Sequence, residues 1–168
     1  KQDKENRLND EDFYNKGQLQ LCIRSALLER DTAKYFGQMD PYVVFHYNDL
    51  KYETLSADER GRFPVWNQTF DLNINSMKDE IIFKLYDKDL GFLPDDAIGW
   101  VSAKLSALCI NGGGEFDFEI YYDDDVAGTL RVLTKYTPIQ EMSLNYDTME
   151  IEIDIKDKEM TNNFIEAE

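Results

Sequence analysis

The chain has 168 residues, 42% of them hydrophobic and 13% aromatic, enough for one domain with a full core and some chain left over. Its formal charge of −16 argues against a nucleic-acid partner and sets the surface against anionic lipid unless cations intervene. No apolar run is long enough to span a bilayer and no segment of the sequence reads as a secretory leader; Cys22 and Cys109, both inside apolar segments, read as buried core thiols of a reducing, cytoplasmic compartment.

The charge is uneven. Residues 139–168 carry nine acids and two bases, whereas residues 1–16 carry five and four. Residues 1–16 have no apolar period and read as a solvated leader. The first residue is Lys1, so the sequence is read as trimmed or part of something longer. A first strand is expected after Gly17, with Leu19, Leu21, Ile23 and, past a break, Leu27 facing one way. The loop 29–40 ends at Asp40-Pro41, where proline suits the start of strand 42–47. Asn48-Asp49 is a hairpin signal and 50–56 the returning strand. After the Gly/Pro loop 57–65, the segment 66–74 alternates cleanly. Strand 80–86 leads into an acidic loop, YDKDLGFLPDDAIG (86–99), and 97–105 leads out. Strands at 115–122 and 129–136 flank the turn 123–128, and Pro138 ends the set.

Eight short strands with turn signals between them, and no helix of core length, predict an all-β, eight-stranded antiparallel β-sandwich. Phe45, Phe70, Phe83, Trp66 and Trp100 are expected in its core, and His46 on its surface. An even strand count places the loops 29–40, 57–65, 87–96 and 123–128 at one end, which turns scattered acidity into one acidic rim. Both termini then leave from the other end.

Within that rim Asp87, Asp89, Asp95 and Asp96 crowd into ten residues around Gly91-Phe92-Leu93-Pro94. A hard cation bound by oxygen ligands would cancel their repulsion and leave Phe92 and Leu93 to enter a bilayer or a partner. Tyr35 and Phe36 are their counterparts in the first loop. No phosphate-binding glycine loop, Ser/His/Asp set or Cys/His metal spacing exists, and exposed loops enclose no pocket, so an enzyme is not expected.

MDPYVVF (39–45), PVWNQTF (64–70), YDKD (86–89) and DDAIG (95–99) together resemble the C2 domain, the calcium- and phospholipid-binding β-sandwich. The resemblance covers residues 17–138, follows the type II order of strands, and is nearest to small plant and protist C2 proteins. It implies calcium ligands at Asp40, Asp87, Asp89 and Asp96, with Asp95 as a substitute for Asp96. The remaining first-loop aspartate of the family falls on Lys34, whose ammonium cannot ligate; Asp31, three residues earlier, is the nearest replacement. A weak or absent Ca2+ site follows from that departure. The implied partner is an anionic phospholipid membrane, met peripherally through Tyr35, Phe36, Phe92 and Leu93. The lysine-rich face some members use for phosphoinositides is lacking.

The tail 139–168 is acidic, but residues 148–157 (TMEIEIDIKD) set Met149, Ile151, Ile153 and Ile155 on one face of a period-two pattern. That segment is expected to be a strand, added either to an edge of the sandwich or to a protein partner. The long connection 139–147 favours the partner, and with it an alternative function: a calcium-independent C2 domain acting as a scaffold subunit of a larger complex.

Overall fold

The computed structural model describes residues 15–33 and 37–139. Lys34, Tyr35 and Phe36, the leader 1–14, and the tail with its expected strand 148–157 (Met149, Ile151, Ile153, Ile155) lie outside the described residues. Eight strands run in chain order: β1 Gly17–Leu28, β2 Pro41–Tyr47, β3 Leu50–Glu53, β4 Val65–Ile74, β5 Glu80–Asp87, β6 Asp96–Lys104, β7 Glu115–Tyr122 and β8 Asp125–Pro138. A one-turn helix α1, Leu105–Leu108, follows β6.

All pairings are antiparallel, in the order β3-β2-β5-β6-β7-β8-β1-β4. The β6–β7 join is a single residue pair, Trp100 opposite Tyr121. There the sheet folds over into two four-stranded layers whose inner faces meet. Phe45 on β2 packs edge-on against Phe70 on β4 at 5.3 Å, and Phe83 on β5 stacks on Phe118 of β7 at 6.5 Å. The expected sandwich is therefore present, as one continuous sheet that nearly closes on itself. β3 and β4 are its edges.

Local chemistry explains the turns. Asn48 and Asp49 both have positive φ (49° and 61°), as do Asp123 and Asp124 (47° and 69°), the pattern that two-residue hairpins of primed type require and that Asn and Asp tolerate. The last rim turn is thus only residues 123–124, because Asp125 already pairs with Tyr122 and begins β8. Pro41 opens β2 as expected. β3 stops at Glu53, but the edge pairing continues through a side chain: the Val43 amide donates to Thr54 Oγ1 and the Thr54 amide to the Val43 carbonyl, both at 2.9 Å.

Three packing expectations need correction. Relative to β8, a bulge between Ile23 and Ser25 inserts one residue into β1 and reverses its parity, so Ala26 and Leu28 face the core and Leu27 faces solvent. Trp100 is 52% exposed, because a bulge beside Leu85 resets the parity of β6, so that Gly99, Val101 and Ala103 face inward and Trp100 outward. Cys22 is only half-buried, on the outer side of β1; Cys109 is buried, which pushes its thiol pKa up to about 12 and leaves it unreactive.

Candidate functional site

The end of the sandwich where β1, β3, β5 and β7 finish gathers the four connecting loops, as strand counting predicts. The Glu29 amide donates to the Ala127 carbonyl (2.8 Å), Gly61 N to Met39 O (3.0 Å) and Lys88 N to Asp40 O (3.2 Å), so the β1–β2 loop is tied to the start of β8, to the β3–β4 loop and to the β5–β6 loop. Gly17 and Pro138 are register partners at the opposite end, where both ends of the domain emerge.

Asp87 is the centre of the acidic rim. It ends β5 opposite Pro41 on one side and Asp96 on the other, a register that puts the Asp87 and Asp96 side chains on one face. Only 6% of Asp87 is exposed. Its Oδ1 accepts the Asp40 amide and its Oδ2 the Thr32 hydroxyl, both at 2.8 Å. Burial raises its pKa above the usual carboxylate range, helped by the charges of Asp89 and Asp40 and opposed by those two hydrogen bonds. Asp40 Oδ1 in turn accepts the Glu59 amide at 2.5 Å.

The β5–β6 loop folds around Asp95. Its Oδ1 accepts the Asp89 amide at 3.0 Å, and its Oδ2 accepts the Tyr42 hydroxyl from β2. Asp89 Oδ2 is buried and has no hydrogen-bond partner. Asp31 stands apart from this group: its Oδ1 caps the Ala33 amide (3.0 Å) and its Oδ2 pairs with Arg62 Nε (3.5 Å). Asp40, Asp87, Asp89, Asp95 and Asp96 are thus brought to one end by three elements, while Asp31 is directed to the β3–β4 loop.

The donor set suits calcium, a hard cation that takes six to eight oxygens in loose geometry. A buried carboxylate oxygen without a donor, next to a carboxyl whose ionised form is already disfavoured, also fits a cation. As placed, the side chains do not converge: among the described residues no three ligating side chains form a group able to hold a metal. Asp40, Asp87 and Asp95 are instead engaged with backbone amides and the Thr32 and Tyr42 hydroxyls.

Beyond the acids, the loop tip is apolar and open. Phe92 is fully exposed and Leu93 largely so, as the sequence suggests; Leu90, which sequence reading passed over, is 92% exposed beside them. The signal for Leu90 was present in Asp89-Leu90-Gly91, an apolar residue flanking the turn. Thr32, Tyr42 and Arg30 were also missed. The Arg30 guanidinium lies 3.6 Å over the Tyr122 ring and donates to the Ala97 carbonyl (3.4 Å), setting one cation among the rim's acids. No sequence spacing marks these three, because each acts across strands far apart in the chain. Among the described residues no helix is long and apolar enough to cross a membrane.

The family model for the C2 domain matches residues 17–121. The chain is 27% identical over 132 residues to the 16 kDa phloem protein 2 of Arabidopsis thaliana, covering 78% of this chain and 88% of that protein. It is 30% identical over 103 residues to a calcium-dependent lipid-binding protein of the same plant, covering 60% of this chain and 19% of the relative. Among solved structures, a C2 domain-containing protein from a putative elicitor-responsive gene superposes with a TM-score of 0.61 at 27% identity, over 73% of this chain and 90% of that one. With the eight antiparallel strands and the loops gathered at one end, these matches place the chain in the C2 domain family.

Proposed function

We propose that this C2 domain is a binding module that takes calcium at its acidic rim and, through it, docks peripherally on anionic phospholipid. The observation that carries the reading is Asp89 Oδ2, buried without a partner beside Asp87. Asp40, Asp87 and Asp89 would hold the ion, with Asp96 or Asp95 completing the set. Calcium supplies positive charge that removes the rim's repulsion for lipid headgroups. Leu90, Phe92 and Leu93 then stand ready to enter the interface, and Tyr35 and Phe36, outside the described residues, are assigned the same role from the sequence alone. The similarity to the calcium-dependent lipid-binding protein of Arabidopsis thaliana supports the same reading.

Calcium titration of the full chain by calorimetry, with and without vesicles of phosphatidylserine and phosphatidylcholine, tests it. Binding heat that disappears in the Asp87→Asn, Asp89→Asn double variant, together with calcium-dependent vesicle sedimentation, is the expected result. Absence of heat in the unaltered chain would overturn it. A second reading, a calcium-independent C2 domain serving as a scaffold subunit, draws support from the hydrogen bonds that already occupy Asp87 and Asp95. Vesicle or partner binding unaffected by a chelator would select that reading.

A further inference from the structure

We propose that residues 149–155 add to the free edge of β4 as a ninth strand, within the same chain. The two edges of the sheet are managed differently. β3 is four residues long and carries Lys51 and Glu53, the short charged edge that discourages further pairing. β4 spans ten residues with one charge, Asp71, and no proline. Its only irregularity is Asn67, with φ of 49° at the register break opposite β1. From Gln68 to Ile74 the pairing with β1 is regular, which leaves seven consecutive residues whose alternate amides and carbonyls face outward without a strand among the described residues. A long edge with a single charge and no proline needs a cover.

Direction and length identify the cover. β8 and β4 both pair antiparallel with β1, so they run the same way. A segment that leaves Pro138 and turns back therefore runs antiparallel to β4, but parallel to β3 and β7. β6 is also antiparallel to it, yet β6 offers only residues 101–104 beyond its single pair with β7. The way from β8 across β1 and β4 is three strand spacings, about 14 Å. Residues 139–148 reach about 30 Å when extended.

The faces match as well. Tyr52, Trp66 and Phe70 are only partly buried where the two layers open between β3 and β4. A strand running 149–155 opposite 74–68 turns Met149, Ile151, Ile153 and Ile155 to the same inner side as Phe70 and Leu72. Its acids Glu150, Glu152 and Asp154 then point to solvent beside Thr69, Asp71 and Asn73, three residues of which one is charged. This pairing is independent of whether the rim takes calcium.

Residue-resolved amide exchange on the full chain tests the proposal. The expected result is exchange at least about 100-fold slower than in an unstructured peptide for residues 149–155 and for the alternate amides of 68–74 that face away from β1. The Ile151→Asp, Ile153→Asp double variant should abolish both sets of protection while the β1–β8 amides stay protected; Ile151→Val, Ile153→Val should retain them. Fast exchange at 149–155 in the unaltered chain, or β4 protection unchanged in the aspartate variant, would overturn the pairing. Protection that appears only as the chain dimerises by light scattering would place the segment on a second copy and overturn the assignment to the same chain.

Discussion

Asp95 joins two parts of the rim: its carboxylate accepts the Tyr42 hydroxyl from β2 and, through its other oxygen, the amide of Asp89 within its own loop. The phenol is thereby held against ionisation, first by burial and then by that carboxylate. Tyr42 also stacks on Tyr86 at 5.7 Å, so the contact rests on a fixed ring. The acid nearest the loop tip is thus committed to the protein's own donors.

Tyr42→Phe keeps the ring stack and removes the donor. Losing one hydrogen bond of this kind costs about 1 kcal/mol, seen as a small fall in the urea midpoint. The released Asp95 oxygen becomes available to a cation, and calcium affinity by calorimetry should rise severalfold. A fall in affinity instead would mean that Tyr42 prepositions Asp95 as a ligand.

Leu90 and Phe92 project from the same loop with almost no protein contact. Leu90→Ala and Phe92→Ala should leave the melting temperature unchanged. Each inserted apolar side chain gains about 1.5–3 kcal/mol in a lipid environment, so either variant should weaken calcium-dependent binding to phosphatidylserine vesicles by tenfold or more in sedimentation. Unaltered vesicle binding in the double variant would remove this loop from the membrane contact.

The strands and the shared rim were legible because alternation and strand parity are local properties of sequence. Ile81, Phe83 and Leu85 alternate inward without interruption, and counting strands assigned the loops to their end. Leu27 was misassigned because a bulge adds a residue and reverses every later side chain, and nothing in SALL announces one. Trp100 was misassigned because size suggests burial, whereas the parity of β6 from Ile98 onward, reset by its own bulge beside Leu85, decides the face. The aspartates of the rim were found from their spacing; the partners that occupy them, Thr32 and Tyr42, lie 55 and 53 residues away in sequence and leave no local pattern.

Asp117 and Arg131 face each other across β7 and β8 through two hydrogen bonds, 2.8 and 3.0 Å. The Arg131 guanidinium holds the Asp117 carboxyl below the usual carboxylate range. A depressed carboxyl contributes stability that is present above its unfolded pKa of about 3.9 and is lost as the pH falls through the lower folded value. Asp117→Asn should therefore lower the urea midpoint slightly at pH 7, and the difference from the unaltered chain should close below pH 4. Both residues are exposed, so the effect is small and should shrink further in high salt. A difference that persists at pH 2 would point to packing instead of charge.

Gly99 sits where the two layers join, and its importance is steric. A Cβ there would stand 2.6 Å from Ile120 Cγ2, 2.9 Å from the Tyr121 carbonyl oxygen and 3.2 Å from Ala127 Cβ. Ile120 and Ala127 are buried, so neither side can move into solvent. Overpacking of this kind costs about 1–3 kcal/mol, and Gly99→Ala should melt several degrees lower. The strain falls one residue from Trp100, whose pairing with Tyr121 is the single register pair between β6 and β7 among the described residues. It also falls three residues from Asp96, whose place opposite Asp87 depends on how β6 begins. Calcium binding should therefore weaken along with stability, even though Gly99 carries no ligand. A variant that melts normally would show that the layers separate easily at this join; one that melts lower yet binds calcium unchanged would show that Asp96 is positioned by its loop and not by β6.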